Sequence, residues 1–281
     1  CVPNIGLDYL FMGAMRMGPA GAALGTTLAQ AISVVFALVV ILRRESGISV
    51  DKSHFKPKKP VLGNILKIGV PIAVQDGLIQ VAFVAITIIA NRRGLTDAAA
   101  VGIVEKIISF VFLVPSSLLS TVSALGAQNI GAHKPERAVA TLRYAIFIAV
   151  GFGLIVSGLV QVVAEPVVGL FTSDSAVQVA GGQYFRGYIW DCIFAGIHFS
   201  FSGYFCACEK SILSFLHNII AIALVRLPGV YLTSKLFPTT LFPMGLATAT
   251  GSLLSVIICV IAFAVLTRHG KQTQEGGLTH G

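Results

Sequence analysis

Phe242 to Thr267 is a run of 26 residues without a single Asp, Glu, Lys or Arg, and Tyr144 to Ala164 is another of 21. A helix that crosses a bilayer needs roughly 20 mostly apolar residues. Runs of this kind predict spans at 20–42, 63–90, 98–127, 138–164, 177–206, 211–236 and 242–267, with an incomplete one at 1–15. Several exceed a straight crossing, which tilt accommodates. Only 11% of the residues are charged, where soluble domains carry roughly 25%. Helices are the spanning elements that satisfy their own backbone. The expected fold is therefore all-α: a polytopic membrane protein.

The net charge of +8 needs no nucleic acid to explain it, because Lys and Arg collect in cytoplasmic loops. Loop 43–60 carries Arg43, Arg44, Lys52, Lys56, Lys58 and Lys59. Loop 128–143 carries Lys134, Arg137 and Arg143; loop 207–210 carries Lys210; the tail carries Arg268 and Lys271. The alternate loops hold only Arg92, Arg93 and Lys235. Twelve against three places loops 43–62, 128–137 and 207–210 and the C-terminal tail in the cytoplasm of a multi-pass cell-membrane protein. Arg92 and Arg93 are the pair that sits awkwardly with that orientation.

The polar corner in "SALGAQNIGAHKPERAVATL" (123–142) is then an elbow between antiparallel spans. Asn129 or Gly131 is expected in the left-handed conformation that ends a helix. Pro135 suits the first turn of the next helix, and Glu136 suits its positive dipole end. Residues 45–62 form the one long polar linker. The five cysteines show neither zinc spacing nor a disulfide framework. Cys206 and Cys208 are read as free thiols, and neither a metal nor an organic cofactor is expected.

The helix entered at Pro19 repeats in the last one, entered at Pro243. At an offset of 224, Pro19, Gly21, Ala23, Thr26, Leu42 and Arg44 match Pro243, Gly245, Ala247, Thr250, Leu266 and Arg268. Both helices run in one direction, so the repeat is parallel, as in transporters built from two similar lobes.

"GAQNIGAHKPERA" (126–138), "IGVPIAVQDGLIQ" (68–80) and "NIGLDYLFMGAMRMGPAGAALGTTLAQ" (4–30) resemble the multidrug and toxic compound extrusion (MATE) family. The resemblance covers the chain up to Arg268. It implies twelve helices in two six-helix lobes around a central cavity. It also implies export of cationic or amphipathic organic compounds in exchange for H⁺ or Na⁺. By this resemblance 1–44 holds the last two helices of the first lobe, 45–62 a cytoplasmic linker, 63–268 the six-helix second lobe and 269–281 a cytoplasmic tail. About 160 residues and four helices of the same protein are then expected before Cys1, by arithmetic on the repeat. Besides those helices, the expected partners are the bilayer and a small organic, cationic substrate.

Ionisable side chains inside spans are costly and mark pathways. Asp76 lies one turn beyond Pro71, with Gln75 beside it and Gln80 at i+4 on the same face. It is either an ion or proton site at a kink or a snorkelling acid at the interface. Asp191 lies mid-span, with Tyr184, His198 and Ser202 on its face and Trp190, Tyr188 and Phe194 flanking it. A carboxylate among aromatics suits an organic cation; the alternative is an acid paired with Arg186. Na⁺ could bind at Asp76 or Asp191. Arg226 either lines the cavity or neutralises Asp191, and His198 is a candidate proton partner of Asp191. Glu105 is read as structural, pairing with Lys106 or Arg93. Ser109, Ser116, Ser120 and Ser123 follow it on one face.

The family's sodium-coupled members carry an acid in each of two helices. The matching positions here are Ile79 and Ala195, so those residues do not carry over. Two rivals remain. A lipid-linked oligosaccharide flippase would need a strongly basic cavity, for which Arg226 and Arg186 are the candidates. A membrane-embedded enzyme would need a catalytic constellation, and no HExxH or GxSxG occurs.

Overall fold

The computed structural model describes residues 2–42 and 58–278, with side chains placed for 3–40 and 58–268. The chain divides into two compact units, Cys1–Leu62 and Gly63–Gly281. The described residues form helices joined by short turns, and six stretches among them are long and apolar enough to cross a membrane.

In the first unit, helix α1 (Val2–Asp8) widens into a π-helical turn (Tyr9–Ala14) and packs against α2 (Gly18–Leu42). Arg16 and Gly18 take positive φ at the reversal. Asn4 donates to the Thr26 hydroxyl at 3.3 Å.

The second unit runs α3 (Lys59–Asn91), α4 (Leu95–Val111), α5 (Leu113–Gly131), α6 (Pro135–Gly169), α7 (Ser175–Tyr188), α8 (Asp191–Ala207), α9 (Ser211–Ala221), a π-helical segment (Ile222–Arg226), α10 (Leu227–Leu236) and α11 (Phe242–Leu278). Helix α8 is the hub, packed by α5, α6, α9 and α11. Close approach is achieved with glycine. A Cβ on Gly203 would strike the Leu119 carbonyl at 2.5 Å, and one on Gly196 would meet Ala149 at 2.7 Å. Glycines 187 and 245 face each other where α7 crosses α11, each against the other helix's backbone.

Three departures from the expected spans have local causes. The span expected at 98–127 bends at Phe112, because Pro115 has no N–H for the Val111 carbonyl. The span expected at 177–206 is two helices, α7 and α8. At Ile189–Trp190 the chain tightens to i→i−3 bonds, Cys192 N to Ile189 O at 2.9 Å and Ile193 N to Trp190 O at 3.3 Å. Neighbouring side chains add donors here: Ser157 Oγ donates to Ile189 O as well, and Gln161 Nε2 donates to Arg186 O. The span at 211–236 widens into the π-helical segment just before Pro228, closing with Leu227 N to Ile222 O.

Helix α3 starts at Lys59, inside the segment expected as linker, with Pro60 in its first turn. Residues 43–57 lie outside the described residues. The segment expected as a tail is helical in its backbone to Leu278. Helix α3 runs unbroken through Pro71. The Lys67 carbonyl, which Pro71 cannot satisfy, accepts instead from Ser211 Oγ at 3.3 Å, so the proline ties α3 to the start of α9.

The left-handed residue of the 128–137 elbow is His133, with φ of 56°, rather than Asn129 or Gly131. Helix α5 runs on through Gly131. The ending is a Schellman motif, with His133 N to Ile130 O at 3.0 Å and Lys134 N to Asn129 O at 2.9 Å. The 207–210 turn repeats it: Glu209 has φ of 58°, Glu209 N bonds Cys206 O, and Lys210 N bonds Phe205 O at 2.8 Å.

Candidate functional site

The break at Ile189–Trp190 makes Asp191 the first residue of α8, where the positive end of the helix dipole favours a carboxylate. Asp191 is fully buried. Its Oδ2 accepts from Arg226 Nη2 at 2.9 Å. The same Nη2 stands 3.0 Å from the Tyr188 hydroxyl. The guanidinium carbon lies 5.8 Å from the ring centroids of both Phe83 and Tyr188. Arg226 closes the π-helical segment, and α11 comes against it at Gly251, where a Cβ would meet the Arg226 Cβ at 2.9 Å. Ser252, the next residue of α11, faces the Asp191 carboxyl.

Of the two roles open to Arg226, the geometry shows neutralisation of Asp191. Arg186, the other conceivable partner of Asp191, instead binds Glu165 at 3.0 Å and the Gln161 carbonyl at 3.1 Å. Both arginines that a flippase cavity would use are therefore engaged by acids.

Glu105, read from the sequence as structural, belongs to this site. Arg93 is not its partner: Arg93 pairs with Asp97 at 2.7 Å. Lys106, the other partner expected for it, does act on Glu105, together with Arg226, neither of them within ion-pair distance. Thr87 Oγ1 lies 3.5 Å from Glu105 Oε2 but donates its one hydrogen over the shorter 3.0 Å to Phe83 O. Four buried polar atoms here have no hydrogen-bond partner among the described residues: Glu105 Oε1, Asp191 Oδ1, Tyr184 Oη and Arg226 Nε. One carboxyl, that of Asp191, pairs directly with the guanidinium, and Glu105 stands beyond ion-pair distance, acted on by both Arg226 and Lys106.

Tyr184 is buried edge-to-face against Tyr188 at 5.6 Å. Trp190 lies at the break itself and is 36% exposed. Of the aromatics beside Asp191, Tyr188 has Arg226 within 5.8 Å of its ring centroid.

His198, expected as a proton partner of Asp191, packs instead against Phe199 at 4.9 Å and His217 at 5.5 Å. Its Nδ1 has no hydrogen-bond partner among the described residues. His217, passed over in the sequence, is the centre of a second buried polar cluster. Its Nε2 lies 2.8 Å from Ser202 Oγ and its Nδ1 3.0 Å from Ser255 Oγ. Ser255 donates to the His217 carbonyl, so its oxygen accepts from Nδ1–H, and Ser202 donates to Nε2. Neutral His217 is thus the Nδ1–H tautomer. Its signal was the stripe Ser211, Ser214, His217, Asn218 and Ala221, buried at helical spacing. Ser252 and Ser255 sit three residues apart on α11, so the His217 cluster lies about one turn, roughly 5 Å, from the Asp191 site.

Asp76 and Gln80 are not gathered into this interior. Both are exposed on α3, whereas Gln75 turns inward and accepts from Ser214 at 3.1 Å. Ser109 and Ser116 and Ser120 are likewise exposed on α4 and α5.

A family model described as MatE matches residues 71–232. Over 275 residues the chain is 24% identical to the multidrug export protein MepA of Staphylococcus aureus (strain NCTC 8325 / PS 47), covering 97% of this chain and 60% of that protein. It is 27% identical over 200 residues to MepA of Staphylococcus haemolyticus (strain JCSC1435), covering 71% and 44%. The chain therefore spans 44–60% of the length of these relatives. A crystal structure of MATE in the straight conformation superposes with a TM-score of 0.87 at 18% identity, over 95% of this chain and 61% of that one. An outward-facing conformation of a multidrug resistance MATE family transporter does so with the same score, identity and coverage. At these identities the superpositions establish the fold.

Proposed function

Because the chain belongs to the MatE family, we propose that the protein it forms is a cation-coupled antiporter that exports amphipathic or cationic organic compounds by alternating access. The multidrug export function named for the MepA relatives supports the substrate class. The observation that carries the coupling is the buried set Asp191, Arg226 and Glu105. It centres on the Asp191–Arg226 ion pair, with Glu105 near enough for its charge to act on Arg226, and four polar atoms without hydrogen-bond partners among the described residues. A charge left unbalanced there is expensive. A monovalent cation, H⁺ or Na⁺, taken up beside Asp191 or Glu105 would compete with Arg226 for carboxylate charge, and its release would return that charge to Arg226. Arg226 holds Asp191 in place, and the helix break aims α8's dipole at the carboxyl.

The substrate would meet the lobe elsewhere, at exposed polar side chains such as Asp76 and Gln80 on α3 or Ser116 and Ser120 on α5. Exposed polar side chains are ill-suited to lipid and suited to a water-filled cavity. Loops 128–137 and 207–210 would face the cytoplasm, on the charge count already given.

The test is efflux of an organic cation from vesicles carrying the complete protein, measured against pH and against Na⁺. Asp191→Asn should abolish the cation dependence of transport while the protein still inserts. Ser116→Ala should leave it intact. Unchanged pH and Na⁺ profiles in Asp191→Asn would remove Asp191 from the mechanism.

A further inference from the structure

Arg92 and Arg93 stand on the side of the lobe that is poor in basic residues, and one of them is explained by its contacts. Arg93 pairs with Asp97 and donates to the carbonyls of Ser234, Phe237, Pro238 and Thr240. It clasps the end of α10 to the end of α3. Arg92 does none of this. It is exposed, and among the described residues no carboxylate lies within ion-pair distance of it or of Lys235.

Below Arg92 runs a groove of about 520 Å³ between α3 and the π-helical segment with α10. Ala85, Ile88 and Ile89 form one wall, Leu227 and Pro228 the other. The groove exists because the π-helical backbone ahead of Pro228 departs from α-helical spacing and because Ala85 and Ala223 are small. At its upper end it adjoins a second pocket of about 230 Å³, which shares Ile89, Arg92 and Tyr231 with it and adds Lys235. The Lys235 ammonium lies 4.7 Å from the Tyr231 ring centroid. Arg92 follows the last residue of α3 and Lys235 is one residue from the end of α10. Arg92 and Lys235, neither paired with a carboxylate among the described residues, therefore sit at the depth where a span meets the headgroups, and the apolar groove descends from them into the hydrocarbon.

We propose that this groove is a binding site for one anionic phospholipid, its phosphate between Arg92 and Lys235 and an acyl chain along Ala85, Ile88, Leu227 and Pro228. The charges are complementary and the walls are apolar along their length. A peptide in the same place would leave its backbone groups without partners. A basic pocket between membrane helices is suited to a lipid phosphate. The site also accounts for a basic residue on the side where the orientation rule disfavours it.

The experiment is native mass spectrometry of the complete transporter, released from micelles containing equal phosphatidylglycerol and phosphatidylcholine. Wild type should retain phosphatidylglycerol in preference. Arg92→Gln and Lys235→Gln should each lower that preference roughly five-fold, and the pair roughly 25-fold. Lys134→Gln, at the 128–137 elbow, should not change it. Ala85→Leu, which narrows the groove, should reduce retention of the lipid with both cations in place. Equal retention of the two lipids by wild type would overturn the proposal, and so would an undiminished preference in Arg92→Gln/Lys235→Gln. Equal loss with Lys134→Gln would show a diffuse charge effect and overturn it too. Competition by glycerol phosphate as effective as by the intact lipid would mean the groove holds no chain, with the same consequence.

Discussion

Removing Arg226 should harm the fold more than removing its partner. At 2.9 Å, the attraction between Arg226 and Asp191 is about 6 kcal/mol with an effective dielectric of 20, before desolvation is set against it. Taking away one member of a buried pair typically costs about 3–5 kcal/mol, because the other charge is left uncompensated. The two deletions are not equivalent here. In Asp191→Asn, Arg226 still has Glu105 acting on it. In Arg226→Met, Asp191 loses its one ion-pair partner, and Glu105 keeps only Lys106 acting on it. Arg226→Met should therefore lose about 3–5 kcal/mol and Asp191→Asn less. The double variant should recover at least about 2 kcal/mol of the summed losses, since residues in contact couple by about 0.5–3 kcal/mol. Equilibrium unfolding of the complete protein in mixed micelles, at a pH that keeps both acids ionised in water, measures all four species of the cycle. Losses that add to within about 0.5 kcal/mol would mean that the pair is not coupled. Equal losses for the two single variants would mean that Glu105 provides no second counter-charge.

Ser211→Ala should cost about 1 kcal/mol by leaving the Lys67 carbonyl without its donor. In a Pro71→Ala background, where the restored N–H can reach that carbonyl, the same change should cost little, and the same unfolding assay compares the two. Gly245→Ala should destabilise the lobe by about 1–3 kcal/mol or more, because its Cβ meets the Tyr184 carbonyl and Tyr188 backbone, which cannot move aside like a flexible side chain. Recovery of folded protein after heating in detergent reads this directly. Single cysteines at His133 and Ser173 should react with an impermeant thiol reagent from opposite sides of the membrane; labelling of both from one side refutes the orientation.

Much of the fold was legible because a bilayer is a severe solvent. Long charge-free runs such as Phe242–Thr267 must be helices there, whatever their neighbours are. The 128–137 elbow was legible for a related reason, since a helix end has few ways to satisfy its last carbonyls. The residue that takes the left-handed conformation was missed because glycine and asparagine are only the usual choice. An exposed His133, or an exposed Glu209, can take that conformation where the Schellman bonds hold the turn.

The site was legible residue by residue but not as an assembly. A buried Asp191 announces itself in a sequence because an acid has no reason to lie in an apolar span unless something uses it. Its partner is 35 residues away on a different helix. Nothing in composition or period separates Arg226 from Arg186 as candidates. Packing decided between them, through a helix break backed by Ser157 and Gln161, a π-helical segment that ends on Arg226, and a glycine at 251 that lets α11 close on it. Glu105 and His217 were undervalued for the same reason. A side chain's cost depends on what faces it in three dimensions, and hydropathy along one dimension records only that the residue is polar. For this chain, periodicity and loop charge determined that it is helical and membrane-spanning. Which base an acid pairs with and which side chain serves a carbonyl left without its donor were decided only when the helices met, because each depends on distances of about 3 Å between segments that no sequence spacing sets.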